Sequence, residues 1–291
     1  MRSQSLPVGA YAQLLLGALL LSTGSTVIKA VSFSALELAA WRALVIAVFL
    51  ALAVRPARRC WDRSLVPAAL AHAVTTLLFM WGNKLTSAAT AIFLQYTAPI
   101  YLLLLGPRLL GEPVTRRDVA CVGVIALGMV LLLMTPGPAT RTAPEPLLGA
   151  IVAAFCGVAW AFTTLTMRGL SRREPDGVQR AIAAVIAANI GLGILLLPLV
   201  GIPAQATPLD WGLVTYMGVL QLGTAFILIS RGLRRVTALE GALLLLLEPV
   251  LNPFIAWAVH GEVPGVAVLA GGVLILGVSA GRAWWVAAAQ R

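Results

Sequence analysis

Uncharged apolar stretches of about 20 residues recur from one end of this chain to the other, each long enough to cross a hydrocarbon core of about 30 Å. Of 291 residues 60% are hydrophobic and 11% charged, and the mean hydropathy is +0.94. Soluble domains carry roughly 25% charged residues, so a cytosolic globular protein is excluded. The stretches are apolar or uncharged on every face, as in 147–167, and lack the alternation of a β-barrel strand. Helices, which satisfy their own backbone hydrogen bonds in lipid, are the remaining solution.

Ten spans are expected, at 10–30, 36–54, 64–83, 87–107, 118–135, 147–168, 179–200, 209–230, 238–259 and 264–283. At about 20 residues each they leave roughly 90 positions for loops and tails, too few for a soluble catalytic domain. The fold class read from the sequence is an all-α membrane protein.

The net charge of +10 raises the possibility of a polyanion partner, and its placement answers it. With the N-terminus inside, Arg2, Arg55, Arg58, Arg59, Arg63, Arg108, Arg116, Arg117, Arg168, Arg172, Arg173, Arg180, Arg231, Arg234, Arg235, Arg282 and Arg291 share one side. Lys29, Lys84 and Arg141 fall toward the other, and Arg42 lies within the second span. This asymmetry is a positive-inside signal placing both termini in the cytoplasm. No nucleic-acid partner is needed, and the Arg168 to Arg180 cluster suits anionic lipid. A secretory signal over residues 1–25 is set aside, because removing that span would break both the topology and the repeat described next. Cys60, Cys121 and Cys156 have neither disulfide nor metal spacing.

Residues 82–112 align on 232–262 at a constant offset of 150. Gly82 meets Gly232, Lys84 meets Arg234, Ala88 meets Ala238, Pro99 meets Pro249, and Gly111-Glu112 meets Gly261-Glu262. Two five-helix units are thus expected, 1–140 and 141–291, and an odd number of spans inverts the second. Inverted repeats are a transporter architecture, since exchanging the conformations of the halves moves a cavity from one side to the other.

These residues resemble the drug/metabolite transporter superfamily in its EamA-type branch. The likeness rests on Ala238-Leu239-Glu240-Gly241-Ala242, Glu248-Pro249-Val250, Pro253, Gly261-Glu262 and the run 271–278, with a weaker first copy around Pro99, Gly111-Glu112 and Gly128. The resemblance implies export of amino acids or other small metabolites, with bacterial aromatic amino-acid exporters the most similar members. A multidrug or cation efflux carrier is the alternative, and an intramembrane enzyme a third class.

Pro99 and Pro249 each remove a helical donor, from the carbonyls of Gln95 and Leu245, and should bend two helices at equivalent depths. Freed carbonyls are tolerable where neighbouring helices or a watery cavity supply partners. Trp160, Tyr96, Phe79, Gln95, Tyr101 and Thr164 are the expected substrate contacts, offering stacking surface and polar edges to a flat apolar side chain. Trp81 would suit the same stacking role, the alternative for it and for Tyr101 being an interfacial or packing position, and Trp284 and Trp285 suit the interfacial belt. Glu248 either couples protons, binds a substrate amine or locks the broken helix. Glu112 and Glu262 are read as caps of the helices that follow them, and Arg42, matching an arginine often seen in the family's second helix, as a structural anchor. His72 and His260 are far apart, no metal-ligand spacing or phosphate loop occurs, and no Walker pattern exists to couple ATP. No cofactor or metal is expected. The partners are a small-molecule substrate and membrane lipid, at the inner membrane, with the oligomeric state left open.

Overall fold

The computed structural model describes residues 8–98, 100–102, 105, 116–135, 137–171, 176–233 and 244–288. Pro99, Gly111, Glu112 and the Ala238 to Ala242 motif lie outside the described residues. The described chain is helical: α1 (Val8–Ser22), α2 (Gly24–Ala30), α3 (Ala35–Ala53), α4 (Val66–Leu85), α5 (Ala88–Gln95), α6 (Arg116–Met134), α7 (Pro146–Ser171), α8 (Gly177–Val200), α9 (Pro208–Tyr216), α10 (Ala225–Leu233), α11 (Leu247–His260) and α12 (Val266–Ala288). Among these residues the only β pairing is an isolated bridge between Thr140 and Ala143.

Among the described residues six stretches are long and apolar enough to cross a membrane: Gly9–Ala30, Ala35–Ala53, Arg63–Leu85, Pro146–Met167, Gly177–Val200 and Pro208–Gly232. The other expected spans correspond to shorter described helices, namely α5, α11, Val119–Met134 and Val266–Gly281. Two elements differ from the simple expectation. The first span is interrupted at Thr23, between α1 and α2, and its side chain bonds the Leu20 carbonyl and Tyr216 Oη. The span from α9 to α10 passes through a π-helical segment, Met217–Thr224, where Thr224 Oγ1 reaches back five residues to the Val219 carbonyl.

Local sequence starts several helices. Ser34 and Glu37 form a capping box on α3, Thr207 and Asp210 another on α9, and Ser87 accepts the Thr90 N–H on α5. Burial then follows a membrane logic. Interior positions of α3 and α8 are small, as in Ala39, Ala40, Ala43, Ala183 and Ala184, while Leu70, Ile194, Leu195 and Leu199 face outward. Lipid is as apolar as leucine, so small residues go to the interfaces where helices can approach closely. Gly128 on α6 and Gly271 on α12 show why: a Cβ on either would stand 2.8 or 2.9 Å from the other's carbonyl oxygen.

The packing scheme repeats itself when the expected units 1–140 and 141–291 are exchanged. α1 packs on α10 as α7 packs on α4, and α1 packs on α11 as α7 packs on α5. α3–α8, α5–α11 and α6–α12 map onto themselves.

At one end lie the basic connections, where Arg180 at the start of α8 pairs with Asp62 between α3 and α4. Hydrogen bonds from Ser64 and Arg180 hold the exposed Asp62 carboxyl at about 2, below its ordinary 3.8. A depressed pKa gives stability that is fully present above the unfolded value and lost as pH falls toward 2. We therefore expect this pair to add no slope to thermal stability between pH 5 and 8, and Asp62→Asn to flatten a fall in stability between about pH 4 and 2. Thermal scans across pH in detergent check this; a wild-type and mutant difference that varies within pH 5–8 would refute it.

Candidate functional site

The helix corresponding to span four is interrupted where its equivalent is. α5 ends at Gln95, with a turn at Tyr96 and Thr97, and a turn at Leu246, 150 residues after Tyr96, precedes α11. Pro249 is buried in the first turn of α11, and Pro253 lies within the helix. The Val250 N–H meets the Leu246 carbonyl only at 3.4 Å.

These two interruptions face each other. Tyr96 Oη donates to Glu248 Oε2 at 3.1 Å, joining the C-cap of α5 to the first turn of α11. Both residues are half-buried. One turn beyond Glu248, the fully buried Asn252 donates from Nδ2 to Ser25 Oγ at 3.0 Å, tying α11 to α2. Gln95, beside Tyr96, has a buried Oε1 with no partner.

α7 supplies the third wall. Gly157 lets it approach the α5 interruption so closely that a Cβ there would lie 2.7 Å from both the Leu94 carbonyl oxygen and Thr97 Oγ1. Trp160 follows on the same face of α7, half-buried, and Thr164 stands one turn further with its hydroxyl on the Trp160 carbonyl. Thr163 bonds Thr75 of α4 at 3.0 Å. Phe79, half-buried on α4, packs against two core clusters, one around Leu38 and Met80 and one around Ile92 and Phe93.

The geometry thus gathers Tyr96 and Glu248, with Trp160 one turn from the same break. Tyr101 directs its hydroxyl to Met129 Sδ on α6 at 3.8 Å. Trp81 is 49% exposed and faces outward, because its position on α4 lies off the face packed on α7. Asn252 escaped the sequence reading, although its spacing of four from Glu248 places both on one face of α11.

A second polar assembly closes the end of the bundle opposite the arginines. Lys29 Nζ meets Glu262 Oε1 at 3.0 Å and donates to the carbonyls of Thr86 at 2.7 Å and Thr142 at 2.5 Å. Glu262 Oε2 accepts the Ala88 N–H at 2.9 Å. Lys84 Nζ donates to the Val31 carbonyl, and Asp210 accepts from the Ser32 N–H and hydroxyl. Glu262 therefore caps α5, not the helix that follows it: α12 begins only at Val266, and the buried Lys29 draws the carboxylate inward. Beside this assembly a cleft of about 800 Å³ opens between 135–143 and 259–268, remote from the Tyr96–Glu248 contact. Among the described residues no cluster of His, Cys, Asp and Glu could hold a metal.

Comparison with known proteins matches the EamA-like transporter family to residues 9–134 and 147–280. An uncharacterized protein of Pseudomonas aeruginosa is 34% identical, over 89% of this chain and 88% of its own. The pseudopaline exporter CntI of the same species is 26% identical, covering 83% of this chain and 84% of its own. A probable terminal-alkyne amino-acid exporter of Streptantibioticus cattleyicolor is 29% identical over 80% of this chain and 78% of its own. One crystal structure shares the fold with a TM-score of 0.63 and 22% identity, covering 94% of this chain and 96% of that one.

Proposed function

This chain belongs to the EamA-like transporter family, a multi-pass membrane transporter rather than an enzyme, and from that premise we propose that it exports aromatic or other neutral amino acids by alternating access. In this reading ten helices form two inverted five-helix halves, 1–140 and 141–291, in the bacterial inner membrane with both termini cytoplasmic. The two family-matched stretches and the exchange symmetry of the packing support the division. The exporter names of two relatives support the direction, and the amino-acid exporter among them supports the substrate class.

One observation carries the reading: the hydrogen bond from Tyr96 to Glu248, which joins the interrupted helix of one half to that of the other. Interrupted helices expose backbone polar groups at mid-depth, and a substrate cavity is where such groups are tolerated. Trp160, Tyr96 and Phe79 offer flat faces to an apolar side chain, Gln95 and Thr164 offer polar edges, and Tyr101 stands at the margin. Pro99 and Pro249 are the proposed origin of the interruptions. Exchanging the conformations of the halves would open this seam to either side in turn, driven by the substrate's own gradient or by that of a coupled ion.

The test is flux into liposomes carrying the purified protein, with phenylalanine, threonine and a cationic dye in competition, with and without a pH gradient. Saturable phenylalanine flux is expected, with the dye excluded. Dye flux without amino-acid flux would replace this reading with cation efflux.

Glu248 is assigned the role of holding the two interruptions together. Glu248→Gln keeps an acceptor for the Tyr96 hydroxyl, so flux should remain within about threefold of wild type, consistent with a near-neutral exchange of acceptors. Its dependence on an imposed pH gradient should match that of wild type. A wild-type dependence that vanishes in the mutant would make Glu248 the coupling carboxylate instead.

A further inference from the structure

Arg42, near the middle of α3, is 4% exposed, and so is His72 on α4. Arg42 Nε and both ring nitrogens of His72 have no hydrogen-bond partner, and among the described residues no carboxylate pairs with Arg42. They sit on α3 and α4, which pack against each other. Phe226 of α10 sets its ring edge-on to His72 with centroids 6.1 Å apart.

A third orphan stands on α8, the helix packed on both α3 and α4. Asn189 on α8 is fully buried, its Oδ1 without a partner. It lies between Ile186 and Leu192, which pack in the clusters holding Ile46 and Ala43 of α3, in the next turn and at the next residue after Arg42. Three helices therefore bring unsatisfied polar groups to one interior region. An anchoring arginine would be met by carbonyls or an acid, and this one is not.

A guanidinium removed from water without a counter-charge is expensive, and its orphan donors add to the cost. The arrangement is complete only with an anion. Arg42 supplies one fixed positive charge on a planar fork, which matches a single carboxylate. His72 offers a further ring nitrogen for hydrogen bonding, and the edge of Phe226 gives the region an apolar wall.

We infer that Arg42, with His72 beside it, receives the carboxylate of the transported substrate. This deepens the reading of the chain as an amino-acid exporter and rests on it. It also restricts the substrate class: a molecule bearing one exposed carboxylate is accepted, and its amide or decarboxylated analogue is refused.

Binding to the purified full-length protein tests this with three probes, L-phenylalanine, L-phenylalaninamide and 3-phenylpropanoate. Wild type should bind both carboxylates and bind the amide at least about tenfold more weakly, as expected for a lost charge-assisted hydrogen bond. Arg42→Gln should weaken both carboxylates about 30-fold or more, as for one partner of a buried charge pair, and leave the amide unchanged. Arg42→Lys keeps the charge without the fork, so it serves where Arg42→Gln does not fold, and should weaken the carboxylates about tenfold. Wild-type affinity equal for acid and amide, carboxylate binding untouched in either variant, or no binding of either carboxylate would overturn the assignment. The two readings fail separately. Carboxylate binding through Arg42 without amino-acid flux removes the transport reading alone, whereas intact phenylalanine flux in Arg42→Gln removes the carboxylate site alone.

Discussion

Replacing Lys29 with methionine should cost this protein about 3–5 kcal/mol of stability, the usual penalty for removing one partner of a buried pair. The Lys29 side chain is 1% exposed and that of Glu262 11% exposed, so the ammonium has no water to fall back on and the carboxylate little. Methionine fills similar volume, which confines the effect to charge and hydrogen bonding. It leaves the Thr86 and Thr142 carbonyls without the ammonium and Glu262 with only the Ala88 N–H. Thermal unfolding in detergent should show a midpoint lowered by on the order of 10 °C. The double variant Lys29→Met with Glu262→Gln should recover much of the loss, since a neutral amide can still accept from Ala88 and no unpaired charge remains. Equal midpoints for wild type and Lys29→Met would remove the pair from the account of how this end of the bundle is held shut.

Gly157→Val should be nearly as damaging for a different reason. Its Cβ would stand 2.7 Å from the Leu94 carbonyl oxygen and from Thr97 Oγ1, where the first obstacle is backbone. Nothing local can move aside, so α7 must retreat from α5 and carry Trp160 with it. Overpacking of this kind costs about 1–3 kcal/mol, and flux should be lost with the geometry of the seam. Gly169→Val, on the same helix with open space around its Cβ, is the matched control and should change stability by less than about 0.5 kcal/mol. A Gly157→Val protein that transports like the control would mean that the approach of α7 to the α5 interruption is not what shapes the site.

Most of the architecture is legible in the sequence because hydropathy has only one solution in lipid. The expected span at 36–54 appears as Ala35–Ala53, and that at 179–200 as Gly177–Val200. Features that depend on distant partners are not legible. Thr23 interrupts the first span while bonding Tyr216, 193 residues away. The π-helical segment carries no proline, and its two glycines, Gly218 and Gly223, lie against Val45 and Phe49 of α3. Glu262 has the local signature of a helix start, yet its carboxylate is claimed by Lys29 and Ala88.

The candidate site is legible by the same measure. Tyr96 and Trp160 stand out as aromatics within spans and Glu248 as a charge within one, and only packing pairs Tyr96 with Glu248. Asn252 and Ser25 meet across 227 residues, a contact no local pattern encodes. Arg42 is visible as a charge within a span, but that its Nε is buried with no partner, and that among the described residues no acid pairs with it, are properties of the assembled bundle.

The central claim is that the two halves enter the membrane from opposite sides, which requires both termini to share a compartment. Accessibility of N-terminal and C-terminal tags to an impermeant reagent, in intact cells and in inverted vesicles, tests it directly. The account predicts that both tags are shielded in cells and both exposed in inverted vesicles. A C-terminal tag labelled in intact cells while the N-terminal tag stays shielded would contradict the inverted halves and the alternating seam between them.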